Sequence, residues 1–200
     1  MDRGPLISIG LTLGPEWEHL SAEIRSCTRC SLHQHRLHVV IYRGGPAPMV
    51  VFVGEAPGAM EDRLGLPFVG ASGRRLDTAI DQLRLQPNDF GVLNLVKCRP
   101  LGNRFVEEAA RTCRPYLDRQ LDLLRPRLIV TLGAHALQAF DPTAPAITAA
   151  AGQMRDWKGR RLFPLVHPAA GLHSRRMKER WEQDVATLAA LLPQWSNQTL

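Results

Sequence analysis

An α/β fold, a parallel sheet covered by helices on both faces, is what this sequence predicts. Three observations predict it. Short continuous apolar runs such as Met49–Val53 (MVVFV) and Leu128–Leu132 (LIVTL) are what strands buried on both faces require. Segments with apolar residues at helical spacing alternate with those runs, the rhythm of βαβ units. The length of 200 residues, 44% hydrophobic and 22% charged, suits one domain whose core needs no help from disulfides.

The elements follow in order. Residues 1–15 read as an N-terminal tail closed by Gly14-Pro15, and residues 16–200 as a single domain. Glu16–Ser26 carries Trp17, Leu20 and Ile24 on one helical face. A loop rich in His and Arg follows, and Gly44-Gly45-Pro46 turns the chain into the first strand, Met49–Val53. After a Gly- and Pro-containing loop from Gly54 to Gly70, Ser72–Leu85 reads as a helix with Leu76, Ile80 and Leu83 inward. Gly91–Val96 is the second strand, Glu107–Leu124 a helix and Leu128–Leu132 the third strand. Gly133 opens a helix to about Phe140, and Asp141–Ala151 reads as a surface loop. Leu162–Val166 is the fourth strand, running into His167-Pro168, and Arg176–Leu192 is a closing helix. In open α/β sheets ligands collect beyond the carboxyl ends of the strands. That rule selects Gly54–Gly70, the stretch after Asn94, and His167–His173.

No apolar run reaches the roughly 18 residues of a membrane helix. Met1–Leu13 lacks the apolar core and cleavage site of a signal peptide, so a cytoplasmic protein is expected. A monomer is expected too, since neither a coiled coil nor a spare apolar face is evident. The formal charge is +6, and all but three of the 25 basic residues are Arg, the side chain suited to bidentate phosphate contacts. A GC-biased genome would produce the same excess. The segment Arg155–Arg180 by itself carries a net +6, equal to the whole excess, and it brackets His167. The expectation is a polyanion-binding surface around that loop.

Four cysteines, Cys27, Cys30, Cys98 and Cys113, form a C-x2-C pair and, far along the chain, a C-x14-C pair. In a cytoplasmic protein this count points to a metal centre rather than disulfides. Sulfur ligation suits zinc and iron–sulfur clusters alike, and the spacing does not choose between them. Either would staple the N-terminal segment to the body of the fold. Four unrelated buried cysteines, or a redox pair at Cys27 and Cys30, are the competing readings.

Three motifs stand in order with these cysteines: Gly54-Glu55-Ala56-Pro57-Gly58-Ala59-Met60-Glu61-Asp62 continuing to Gly65-Leu66-Pro67-Phe68-Val69-Gly70; Asn94-Leu95-Val96-Lys97-Cys98-Arg99-Pro100-Leu101-Gly102-Asn103-Arg104; and His167-Pro168-Ala169-Ala170. Together they strongly resemble the family 4 uracil-DNA glycosylases, the iron–sulfur branch of that superfamily, over roughly residues 20–190. The resemblance implies a three-layer α/β/α sandwich with a four-stranded parallel sheet. It also implies a structural [4Fe–4S] cluster on Cys27, Cys30, Cys98 and Cys113. The activity implied is hydrolysis of the N-glycosidic bond of deoxyuridine in single- or double-stranded DNA, leaving an abasic site for base excision repair.

On that resemblance the target base is turned out of the DNA into a pocket. Gly54, Glu55, Glu61, Phe68, Asn94 and His167 would form it. Phe68 would stack on the base. The Asn94 amide, with donor and acceptor together, matches uracil O4 and N3–H and not cytosine. His167, held extended by Pro168, would donate to uracil O2 as charge develops there. Glu55 would hold or polarise the attacking water. The best-known branch of the superfamily has an Asp base in this loop, and its place here is taken by Ala56. Glu61 would shape the pocket against the thymine methyl, with a solvated surface Glu as the rival reading. Asn103 would position water or phosphate. The third motif departs from the family's usual His-Pro-Ala/Ser-x-Leu-Leu-Arg: Gly171 replaces a Leu and His173 the Arg. Leu172 would remain as the wedge of this base-extrusion loop, and Arg175 and Arg176 would supply the lost charge. These departures keep a second reading in play, a non-catalytic, metal-stapled nucleic-acid-binding module of the same fold.

Overall fold

The computed structural model describes residues 13–193. Helix α1 (Pro15–Arg25) starts with Pro in its first turn, where a missing N–H costs nothing. A 3₁₀ turn at Ser31–Gln34 carries the chain to β1 (Arg43–Gly44) and β2 (Val50–Gly54). Helices α2 (Ala59–Leu64) and α3 (Ala71–Gln82) precede β3 (Phe90–Asn94). Helix α4 (Glu107–Leu124), β4 (Leu128–Leu132), α5 (Ala134–Phe140) and α6 (Ile147–Ala150) follow. The hairpin β5 (Arg155–Trp157) and β6 (Arg160–Leu165) leads to α7 (Ala170–His173) and α8 (Arg175–Leu191).

The sheet runs β1-β3-β2-β4-β6-β5. Its four central strands are parallel, as the apolar runs predict. It has six strands rather than four because β1 and β5 add antiparallel edges. Two residues of β1 and the triplet Arg-Asp-Trp of β5 carry no apolar run to betray them. Short, charged edges of this kind also discourage pairing with another chain. Helices α2 and α6 likewise fall inside stretches that read as loops, being only six and four residues long.

Side chains alternate across the sheet and divide the core in two. Val51, Val53, Leu93 and Ile129 pack under α1, α4 and α5, with Leu20, Leu117 and Leu137. Val50, Phe52, Val92, Val130 and Phe163 pack under α3 and α8, with Leu76, Ile80, Val185 and Leu188. The central strand β2 is wholly buried. The chain leaves β2 toward β3 on one side and returns through α4 to β4 on the other, so the switch point lies at the carboxyl end of β2. Among the described residues no helix is long and apolar enough to cross a membrane.

Helix α3 touches the loop before it unusually closely. A Cβ at Gly73 would fall 1.9 Å from the Phe68 carbonyl oxygen. Inside an exposed helix, Gly→Ala gains about 1 kcal/mol. Here the sign reverses: Gly73→Ala should destabilise by roughly 1–3 kcal/mol, the usual cost of overpacking, measured by urea unfolding. A variant at least as stable as the parent would show that this contact relaxes freely.

Candidate active site

Strands β2 and β3 end side by side, with Gly54 opposite Asn94. A cavity of about 410 Å³ opens there, lined by Glu55, Glu61, Phe68, Asn94, Asn103 and His167 among others. That volume lies within the roughly 300–1,000 Å³ usual for small-molecule sites.

Asn94 is 1% exposed, and neither its Oδ1 nor its Nδ2 has a hydrogen-bond partner. A buried amide left in that state costs on the order of 1–3 kcal/mol per group. A polar ligand in the cavity would remove the penalty. Gly54 makes this packing possible: a Cβ there would lie 2.5 Å from Phe68 Cζ and 2.6 Å from Asn94 Oδ1.

Phe68 has φ 56°, the left-handed region that a bulky side chain rarely adopts. Such a residue costs about 1–3 kcal/mol and persists only where its surroundings over-determine it. Glu61 does so: its Oε1 accepts from the N–H groups of Val69 (2.9 Å) and Gly70 (2.8 Å). The carboxylate therefore clamps the turn that presents Phe68, besides lining the cavity. Opposite stands His167, its ring centroid 6.2 Å from that of Phe68. Gly133, with φ 95°, lets the chain after β4 pass His167, whose Cβ lies 3.2 Å from where a Gly133 Cβ would be.

The backbone N–H of Ala169 donates to His167 Nδ1 at 3.1 Å. In the neutral ring the proton then resides on Nε2, leaving that nitrogen as the donor. Burial lowers the His167 pKa, and the negative charge of Glu55 opposes the shift. Glu55 itself is held by a residue that sequence reasoning missed. His135 Nδ1 lies 2.6 Å from Glu55 Oε2, and its ring stacks on Phe105 at 3.9 Å and 8°. His135 sits in the first turn of α5 within AHALQAF, where it reads as the polar face of an amphipathic helix.

The rim residues are more scattered. Asn103 is exposed, with φ 55°, and its Oδ1 accepts from Arg99 Nε at 3.1 Å. Leu172 projects from α7, 46% exposed. The His173 side chain lies outside the described residues. Arg175 is 92% exposed and pairs with Glu179 at 2.9 Å, while Arg176 is exposed. The expectation of one +6 surface around His167 is corrected. Arg155, Lys158 and Arg160 belong to the β5–β6 hairpin, at the amino end of β6, whereas His167 follows its carboxyl end. Arg155, Arg160 and Arg180 are neutralised by Asp141, Asp122 and Asp184, acids outside the segment in sequence and beside it in space.

The four cysteines, 67 residues apart between pairs in the chain, line one small cavity with Arg36, Lys97 and Tyr116. Among the described residues no three side chains are drawn into ready-made metal geometry. The donor set nonetheless fits a thiolate-bound centre. Arg36 Nη1 donates to Cys98 Sγ at 3.3 Å and to the Cys27 carbonyl at 2.8 Å. Burial pushes the Cys98 and Cys113 thiols up, and Arg36 and the Lys97 backbone N–H pull them back. The fully buried Lys97 ammonium, brought down to about 8 by burial, donates to the Asn94 carbonyl at 2.6 Å. It joins the cysteine cavity to the strand end that carries Asn94.

Residues 41–189 match the family model of the uracil DNA glycosylase superfamily. The chain is similar to the type-4 uracil-DNA glycosylase of Sulfurisphaera tokodaii, 39% identical over 87% of this chain and 84% of that protein. It is 37% identical to that of Saccharolobus solfataricus, over 82% of this chain and 81% of that protein. With that of Thermotoga maritima it shares 38% identity over 79% of this chain and 84% of that protein.

His167 should titrate below the ordinary imidazole value of about 6.5, and Glu55→Gln should lower it further by removing the opposing charge. Because its folded pKa is depressed, its contribution to stability is present above about pH 6.5 and lost as the pH falls through the folded value. NMR titration of the ring follows both effects. An unshifted His167, or a pKa raised by Glu55→Gln, would contradict this electrostatic picture.

Proposed function

The chain belongs to the uracil-DNA glycosylase superfamily and to its type-4 members, and from that premise we propose how its cleft acts on DNA. It is an enzyme that excises uracil from DNA in repair. The observation that carries the residue assignment is the buried Asn94 amide, unpartnered at both ends, facing the same cavity as His167.

In this reading uracil, turned out of the strand, enters between Phe68 and His167. Asn94 Oδ1 accepts from N3–H and Nδ2 donates to O4. Cytosine presents the opposite pattern and would leave two buried groups facing like partners, a discrimination of several kcal/mol at most. The C1′–N1 bond breaks with its electron pair going to the base, and N1 and O2 share the charge. His167 Nε2–H donates to O2 and stabilises that anion. A single donor of this kind contributes about 10²–10³-fold. Glu55, held at Oε2 by His135, presents its other oxygen to the developing positive charge on the sugar and to the water that adds at C1′; that oxygen takes the water's proton, which then neutralises the uracil anion by way of solvent. Glu61 keeps the Phe68 turn in place. Asn103, Leu172, His173, Arg175 and Arg176 would meet the DNA around the lesion. The mechanism leans on stabilising a departing anion, which accommodates Ala56 where a basic Asp would otherwise stand. The non-catalytic module is not favoured.

A [4Fe–4S] cluster on Cys27, Cys30, Cys98 and Cys113 would supply a structural tie between the segment after α1 and the β3–α4 connection. We place residues 16–200 in one glycosylase domain behind a tail of residues 1–15, working as a cytoplasmic monomer. Residues 1–12 and 194–200 lie outside those described.

A uracil-containing oligonucleotide, incubated with the protein and then treated with alkali, should break at uracil. His167→Ala should slow that cleavage by about 10²–10³-fold, and Asn94→Asp should erode the preference for uracil over cytosine. Undiminished rate and selectivity in both would move the chemistry elsewhere. Separately, the purified protein should be brown, with iron and sulfide in equal amounts. A colourless protein with stoichiometric zinc would refute the cluster.

A further inference from the structure

We propose that Arg75 is a phosphate-binding residue of the base-extrusion loop, and that Gly171 is the vacancy that admits it. The inference rests on the uracil-DNA glycosylase reading and deepens it. Helix α3 begins at the cavity, which Ser72 lines. Arg75 follows one turn later, on the same face of the helix. Its guanidinium lies against the backbone of α7. A Cβ at Gly171 would fall 2.4 Å from Nη1, 2.6 Å from Cζ and 2.7 Å from Nη2. No side chain at 171 coexists with Arg75 in this position. The same guanidinium lies 5.9 Å from the Trp181 ring centroid, a cation–π arrangement that holds it without consuming its N–H donors.

Among the described residues Arg75 has no carboxylate partner and no hydrogen bond. Other half-buried or buried arginines behave differently: Arg43 pairs with Asp77, Arg155 with Asp141 and Arg180 with Asp184. A partly desolvated guanidinium with five idle donors is suited to an anion that bonds it bidentately, and a DNA phosphate is such an anion. Its position beneath Gly171 sets it beside Leu172, the exposed apolar tip of α7. The phosphate within reach is one flanking the extruded nucleotide. Losing Arg at position 173 and Leu at position 171 thus amounts to one exchange: the cation of the loop is supplied from α3, through the space a side chain at 171 would fill.

Binding to an oligonucleotide duplex carrying a tetrahydrofuran abasic site, followed by fluorescence anisotropy across a salt series, tests this. Arg75→Gln should weaken binding several-fold and flatten the slope of log K against log salt by about 0.9, one phosphate contact. Gly171→Leu should produce the same loss by displacing the guanidinium, and Arg75→Gln should add nothing in that background. Lys158→Gln, on the hairpin at the far end of β6, should leave the slope unchanged. Melting temperatures confirm that each variant is folded. A folded Arg75→Gln with the parental slope overturns the proposal, as do additive losses in the double variant. Should Arg75→Gln not fold, a Gly171→Leu variant that folds and binds as the parent does overturns it equally. Failure of the parent to cut uracil would instead refute the glycosylase reading.

Discussion

A buried amide without a partner is the constraint on which the site depends. Asn94 ends a strand whose other side chains are fully apolar, and it is almost wholly buried. The surrounding chain keeps the amide poised rather than satisfied. Gly54 has no side chain to intervene, Phe68 and the amide oxygen both pack against that glycine, and Glu61 holds the strained turn that places Phe68. Each of these features is unfavourable or neutral alone. Together they exchange a few kcal/mol of stability for a cavity whose polar groups are oriented before any ligand arrives, which is where electrostatic catalysis gets most of its strength.

The carboxyl end of β3 neighbours two centres. On one side Asn94 faces the cavity, and three residues later Lys97 turns back to donate to the Asn94 carbonyl from beside the cysteines. A structural centre at Cys27, Cys30, Cys98 and Cys113 would thereby stiffen the strand end that presents the amide. Arg36 ties the same cavity to the end of α1 through the carbonyls of Arg25 and Cys27. Positive charge is treated differently at the two ends of the sheet. At the β5–β6 hairpin it is paired with Asp141 and Asp122 and spent on the fold. Beside α7, Arg75 has neither a carboxylate partner nor a hydrogen bond among the described residues, which is the basis of the phosphate contact proposed for it.

Much of the fold was legible in the sequence, and for physical reasons. The four central strands are buried on both faces, so they must be continuous apolar runs, and Val50–Gly54 and Leu128–Leu132 stand out as such. Helix α4 shows its inward face by spacing alone, and its predicted span, Glu107–Leu124, is the one observed. Edge strands β1 and β5 were not legible. A two- or three-residue strand is defined by its hydrogen-bonding neighbour and leaves no period of its own. Of the site, Phe68, Asn94 and His167 could be named because they stand in ordered motifs that resemble those of the family 4 uracil-DNA glycosylases, Asn94 and His167 at or just after strand ends. His135 could not, since its partner Glu55 lies 80 residues away.

By itself, then, the sequence determined which segments are strands and helices, which loops converge at their carboxyl ends, and which motif residues belong there. The elements and the loops follow from local periodicity and from the geometry of parallel sheets, and the motif residues from the resemblance to the family 4 uracil-DNA glycosylases. Only the tertiary structure decided that Glu55 is held by His135, that Glu61 clamps the Phe68 turn, that Arg75 occupies the space a side chain at 171 would fill, and that much of the charge near His167 in sequence lies at the far end of the sheet. Strand β6 accounts for the last of these: a strand of six residues carries its two ends to opposite edges of the fold, so proximity along the chain says nothing about proximity of charge.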